Sequence, residues 1–239
     1  MKLKKLKKIP AFIAFIITFI FGYLCLQIIP PLLYNDNSGA LDKVDCPQYI
    51  NEFVDKNPQA IELKENYQPN ENTDPIILDS PNGIPLYIQW DKRWAYTTYG
   101  DEIIGTAGCG PTCLSMVAVG LTGKTTYNPR YVAKYAIKND FLEGSMTRWA
   151  LMESGCNEFG LIASAVPLSK NEMLDAGHPI IASLRPGDFT TTGHFIVITK
   201  TINDKFLVND PNSKENSHKQ WSYSQLAPQI KAMWAYNTI

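Results

Sequence analysis

AGCGPT, residues 107–112, is the stretch on which the fold reading turns. Two glycines flank Cys109, and Pro111 with Thr112 leads into an apolar run that reaches residue 121 and stops at Gly123. Proline suits the first turn of a helix, where its missing N–H leaves nothing unpaired, and glycine suits the residue just past the last turn. The pattern predicts a buried helix with Cys109 at or just before its N-terminus. The helix dipole and the free N–H groups there favour a thiolate, and the same N–H groups can hold an oxyanion. The glycines are expected to allow a tight turn and the close approach of a substrate backbone. Taken as packing alone, Cys109 is a small hydrophobe beside a turn. Cys113, one turn later, falls on the apolar helix and is expected in the core.

A thiolate nucleophile needs a base, and the chain holds three histidines, His178, His194 and His218. His194 follows the loop GDFTTTG (187–193) and opens the apolar run HFIVIT (194–199), which fixes its ring at the rim of a strand. His178 precedes Pro179 in a turn, and His218 lies in the polar stretch SKENSHKQ (213–220); both read as solvated. A third group orients the imidazole. The run FLVN (206–209) ends in Asp210-Pro211, and an aspartate at the end of a strand beside that of His194 reaches its ring. Asn209 would point to the opposite face. Gln89, closing the strand-like PLYIQ (85–89), offers a side-chain N–H as a second oxyanion donor.

Outward from these residues the pattern is α+β. Residues 46–67 have helical spacing, with Ile50, Phe53 and Val54 on one face and then Ile61 and Leu63, broken at Asn57-Pro58. Residues 68–81 are a Pro/Asn-rich connector. Helices are expected at 128–137 and 146–153, and strands at 85–89, 180–184, 194–199 and 206–209. Trp90, Trp94, Trp149 and Tyr99 are candidates to line a groove, although aromatic residues more often pack in cores.

The first ten residues contain Lys2, Lys4, Lys5, Lys7 and Lys8, and no acidic residue comes before Asp36. The remaining chain has 17 basic against 23 acidic residues, about −6, so no basic face for nucleic acid is expected. The uncharged apolar run at 9–34 is long enough to span a bilayer and longer than the apolar core of a secretory signal. The lysines place its start in the cytoplasm and the rest outside. The expected organisation is a cytoplasmic basic tail (1–8), a transmembrane signal anchor (9–34), a linker with short helices (35–81) and a peptidase domain (82–239). The competing reading is a cleaved signal with its cleavage site at Ser38-Gly39-Ala40. Five cysteines, Cys25, Cys46, Cys109, Cys113 and Cys156, are too few and odd in number for a disulfide framework. A Cys46–Cys156 pair is left open.

At these residues the sequence resembles the stand-alone C-39-like cysteine peptidases of the papain superfamily, relatives of the bacteriocin-processing enzymes. Over about residues 46–236 the likeness rests on IPLYIQWD (84–91) with Trp94, the GCGPT turn, LMESGCNEFGL (151–161), GDFTTTGHFIVI (187–198) and VNDP (208–211). It implies a papain-like α+β fold with an antiparallel sheet. It also implies Gln89 as oxyanion donor, Cys109 as nucleophile, His194 as general acid/base and Asp210 as its orienting partner. A membrane-anchored extracellular bacterial peptidase cleaving peptide or protein substrates follows, needing neither cofactor nor metal. No P-loop occurs in the chain and no transport domain follows, so coupled export of a leader peptide is not expected. The same triad also serves cell-wall peptide amidases and acyltransferases, and a non-catalytic surface binding module is the remaining alternative. A metal site of Cys109, Cys113 and a histidine lacks the second ligand pair that zinc sites usually show.

Overall fold

The computed structural model describes residues 45–68, 73–176 and 179–239. The basic tail, the apolar run, Cys25 and His178 lie outside the described residues. Among the described residues no helix is long and apolar enough to cross a membrane. Residues Asp45–Ile239 form one unit.

Among the described residues two helices come first, α1 (Gln48–Lys56) and α2 (Ile61–Glu65). They are separated by a 3₁₀ turn at Pro58–Ala60, where proline forbids continuation. Both helices lie within the unit formed by Asp45–Ile239. Ile50, Val54, Ala60 and Leu63 are buried against Ile88, Trp90, Ala95, Tyr96 and Ile103. The hairpin β1 (Thr98–Tyr99) and β2 (Glu102–Ile103) leads to the single turn α3 (Ile104–Ala107). Next come α4 (Cys109–Thr122) and α5 (Pro129–Lys138). Gly123 ends α4 at φ 70°, the left-handed conformation that favours glycine.

The hairpin β3 (Leu142–Glu143) and β4 (Met146–Thr147) is followed by α6 (Ala150–Glu153) and β5 (Leu161–Ala165). The expected helix at 146–153 is therefore shortened to its second half. Arg148 N–H donates to Phe141 O, closing the hairpin and holding residues 146–148 extended. Then follow α7 (Lys170–Asp175), β6 (Ile180–Leu184), β7 (His194–Ile202), β8 (Lys205–Asn209), α8 (Lys214–Ser217), β9 (Gln220–Ser222), α9 (Tyr223–Leu226) and β10 (Ile230–Thr238). Six of these strands form an antiparallel sheet in the order β5-β10-β6-β7-β8-β9.

Strand β6 and residues 194–198 of β7 are buried on both faces because the sheet is covered there on both sides. Phe195, Val197 and Ile181 join the cluster under α4 and α5. Ile196, Ile198, Ile180 and Ala182 join Phe206, Trp221 and Leu226 in a separate one. Helix α4 is itself buried along nearly its whole length.

One expected strand is absent. Residues 85–89 run beside the segment after β8 without forming a ladder. Gln89 N–H donates to Pro211 O at 2.7 Å, and the Asn209 side chain donates to Pro85 O. Pro85 and Pro211 have no N–H, so the pairing cannot be extended into a ladder.

Candidate active site

Helix α4 starts at Cys109 with Gly108 as its N-cap, which puts the thiol at the positive end of the helix. Cys109 is partly exposed, whereas Cys113 is buried inside the helix packing. The structure gives the flanking glycines a packing reason as well. A Cβ on Gly110 would lie 2.5 Å from Thr147 Oγ1, and one on Gly108 would lie 2.6 Å from the Ile104 side chain. Their missing side chains make room for the β3–β4 hairpin and for α3, and that packing aims Cys109 at the cleft.

His194 opens β7 opposite Leu184 of β6 and is buried. Its Nε2–H donates to Asp210 Oδ1 at 2.7 Å. Cys109 and His194 line the same cleft, and the Cys109 side chain acts on the ring. With Nε2 taken by Asp210, Nδ1 is the nitrogen left for the thiol. Asp210 follows β8 directly and is wholly buried. Its Oδ1 also accepts from Asn212 N–H at 2.8 Å, and its Oδ2 accepts from Asn216 Nδ2 at 2.9 Å. Asp210 N–H in turn donates to Ser217 Oγ. Asn212, Asn216 and Ser217 were not picked out in the sequence, where residues 213–220 read as surface. The only signal was an Asp-Pro-Asn-Ser turn, in which an aspartate side chain commonly accepts from the backbone two residues on.

Burial works to lower the His194 pKa. The charge and hydrogen bond of Asp210, with a smaller contribution from Cys109, outweigh it and push the value up to about 10. The imidazole therefore keeps its proton through neutral pH. For a group raised in this way, the stabilising contribution is complete below the unfolded value of about 6.5 and is lost as pH rises through the folded value. The alkaline limb of kcat/KM is expected to follow the same loss, near pH 10. Asp210→Asn is expected to move that limb down by about one unit or more. A limb near the ordinary histidine value in the native protein would contradict this placement of the proton.

Gln89 is buried and lines the same cleft. Its Nε2 donates to Gly105 O at 3.1 Å and Thr106 O at 3.2 Å, while Oε1 is buried without a partner. Two carbonyls fix the amide orientation, because the flipped amide would set oxygen against oxygen. The amide N–H end therefore faces the residues just before Cys109.

Cys109, His194 and Gln89 open onto a cleft of about 630 Å³. Of the four aromatic residues considered for a groove, Trp149 lines it, with its indole N–H donating to Ser183 Oγ. Trp94 and Tyr99 are core. Trp90 is buried beneath α1 and α2, its ring near Asn212 O and the Lys214 ammonium. His218 is exposed, and Cys46 and Cys156 are both free thiols.

A cysteine at the start of a buried helix and a histidine opening a strand, lining one cleft beside an antiparallel sheet, fit the α+β fold of papain-like cysteine peptidases. Residues 81–238 match the model of the Peptidase_C39 like family, and the chain belongs to that family. It is a cysteine peptidase of α+β fold. Among solved structures, the peptidase domain of Streptococcus ComA, a bi-functional ABC transporter involved in quorum sensing, matches with TM-score 0.41 and 17% identity, covering 55% of this chain and 90% of that one. A double glycine motif protease from an AMS/PCAT transporter, solved with its leader peptide, matches with TM-score 0.42 and 14% identity, covering 66% and 95%. No curated protein matches the chain.

Proposed function

We propose that Cys109 cleaves peptide amide bonds as a nucleophile, with His194 as general acid/base and Asp210 as its orienting partner. The observation that carries this reading is the buried His194–Asp210 hydrogen bond at 2.7 Å, at the edge of the cleft that Cys109 and His194 both line. In the reacting form the thiol's proton already rests on His194, and the thiolate adds to the amide carbonyl carbon. The oxyanion is held by the Cys109 backbone N–H and by Gln89 Nε2, one of whose two hydrogens turns from a backbone carbonyl to the substrate. The imidazolium gives its proton to the amide nitrogen as the C–N bond breaks, leaving a thioester on Cys109. His194 then deprotonates a water, which attacks the thioester, releases the acid and restores the thiol.

The test is incubation of the full-length protein with a peptide library and, in parallel, with purified cell-wall peptide fragments. Cleavage of library peptides is the expected result. Cleavage of cell-wall fragments alone would move the activity to the amidase alternative, and cleavage of neither would contradict the reading. Gln89→Ala is expected to lower kcat by about 10²-fold with KM little changed, because the donor acts on the developing oxyanion. Equal loss in the ground state would appear as a raised KM instead.

The lysine-rich start and the uncharged run at 9–34 support a single-pass anchor with the peptidase outside the membrane. An anchored protein stays with membranes through a carbonate wash and is degraded by protease added to intact cells. Release by the wash would contradict the anchor, and protection from the protease would contradict the orientation.

A further inference from the structure

Helix α1 shows two faces of different character. Ile50 and Val54 are buried in the core shared with Trp90 and Tyr96. Tyr49, Glu52, Phe53 and Lys56 line the cleft that holds Cys109. Their spacing of three, four and seven residues is that of one helical stripe. The helix precedes the residues matched by the family model.

The wall is fixed to the catalytic residues. Asn57, at the end of α1, donates from Nδ2 to Asn212 O at 2.9 Å and Asn212 Oδ1 at 2.7 Å. The N–H of Asn212 is itself bound to Asp210. Gln59 donates to Ser213 Oγ at 3.0 Å. A helix held this way keeps its position relative to His194 when a substrate enters. Its cleft stripe offers two half-buried aromatic rings, Tyr49 and Phe53, with the exposed carboxylate of Glu52 beside them. Glu102 lines the same cleft and acts electrostatically on Tyr49. Lys56 stands at the far end of the stripe, one turn beyond Glu52.

We propose that α1 is the specificity wall of the cleft. It selects peptides that place a large apolar side chain against Tyr49 and Phe53 and a neighbouring basic residue towards Glu52 and Glu102. The inference rests on the Cys109 cleft being the site of amide hydrolysis. Aromatic surface and carboxylates supply the complementary halves of such a site: apolar area removed from water, and charge contacts that discriminate between sequences.

The test uses the full-length protein, its Phe53→Ala and Glu52→Lys variants, a positional peptide library, and iodoacetamide as a small reagent that needs no wall. Phe53→Ala is expected to lower kcat/KM at least about tenfold for peptides with a large apolar residue at the preferred position, and less than about threefold for those with alanine there. Glu52→Lys, at an exposed position that leaves the core intact, is expected to reduce the preference for lysine over glutamate at the adjoining position by at least about fivefold. The rate of Cys109 alkylation should stay within about twofold of the native rate in both variants. Unchanged preferences in both variants would overturn the inference alone. So would a uniform fall across all peptides matched by a fall in alkylation, since that marks a structural role. A native protein that is alkylated at Cys109 but cleaves no library peptide would sink the hydrolysis reading, and the inference with it.

Discussion

Cys109→Ala is expected to lower kcat/KM for peptide cleavage by at least about four orders of magnitude, with the fold retained. Alanine leaves the helix start intact, because the cap is Gly108 and the first turn is set by Pro111. The side chain lost is small and partly exposed, so stability should change by no more than about 1 kcal/mol. What disappears is the atom that forms the thioester. The remaining groups can still bind and polarise a peptide, but without a nucleophile they cannot divide amide cleavage into two easier steps. Adding His194→Ala to the alanine variant should then cost little more, because residues acting as one unit are not additive. Kinetics of the two variants, with circular dichroism to verify folding, test both statements. A single variant retaining more than about 1% of native kcat/KM would show that another residue supplies the nucleophile.

Asp210→Ala should damage both activity and stability. The carboxylate is fully buried and receives three hydrogen bonds, from His194 Nε2, Asn212 N–H and Asn216 Nδ2. Removing it leaves a buried imidazole and two half-buried polar groups without their acceptor. Breaking a buried ion pair from one side costs about 3–5 kcal/mol, which for a chain of this length lowers Tm on the order of 10 °C. Activity should fall by about two to four orders of magnitude, since the ring loses its orientation and the support for its charge. Asp210→Asn separates the two effects. It keeps the volume and some hydrogen bonding, so much of the stability should return, while the missing charge still depresses activity at alkaline pH. Thermal melts and pH profiles of both variants provide the check. Native-like stability in Asp210→Ala would mean that the carboxylate is not holding this loop.

The residues of the candidate site were legible because each sits at a boundary that sequence marks well. Cys109 is bracketed by glycines before a helix, His194 follows a glycine-containing loop into a strand, and Asp210 closes a strand before proline. Strand-like apolar runs also located β6, β7 and β8. Less legible were features that depend on partners distant in sequence. Asn216 and Ser217 look solvated in a polar stretch, yet they hold Asp210 because α8 folds back beneath it. The strand-like residues 85–89 have suitable side chains, but two prolines deny them a ladder. Strand β10, between β5 and β6 in the sheet, was not picked out at all. Only the buried stripe of α1 was visible, and Phe53 was placed on it. A second stripe of aromatic and charged residues has no meaning until the fold sets it beside Cys109.

The most direct measurement is alkylation of the full-length protein with iodoacetamide at pH 6, with peptide mapping of the modified cysteine and residual cleavage followed together. At that pH ordinary thiols react slowly, while a thiolate paired with an imidazolium stays reactive. Among the described residues Cys46 is also partly exposed, and Cys113 and Cys156 are buried, so the map distinguishes the candidates. The expected result is one label per chain on Cys109, with cleavage lost in proportion to labelling. Full cleavage after complete modification of Cys109, or inactivation that tracks a different cysteine, would contradict Cys109 as the nucleophile.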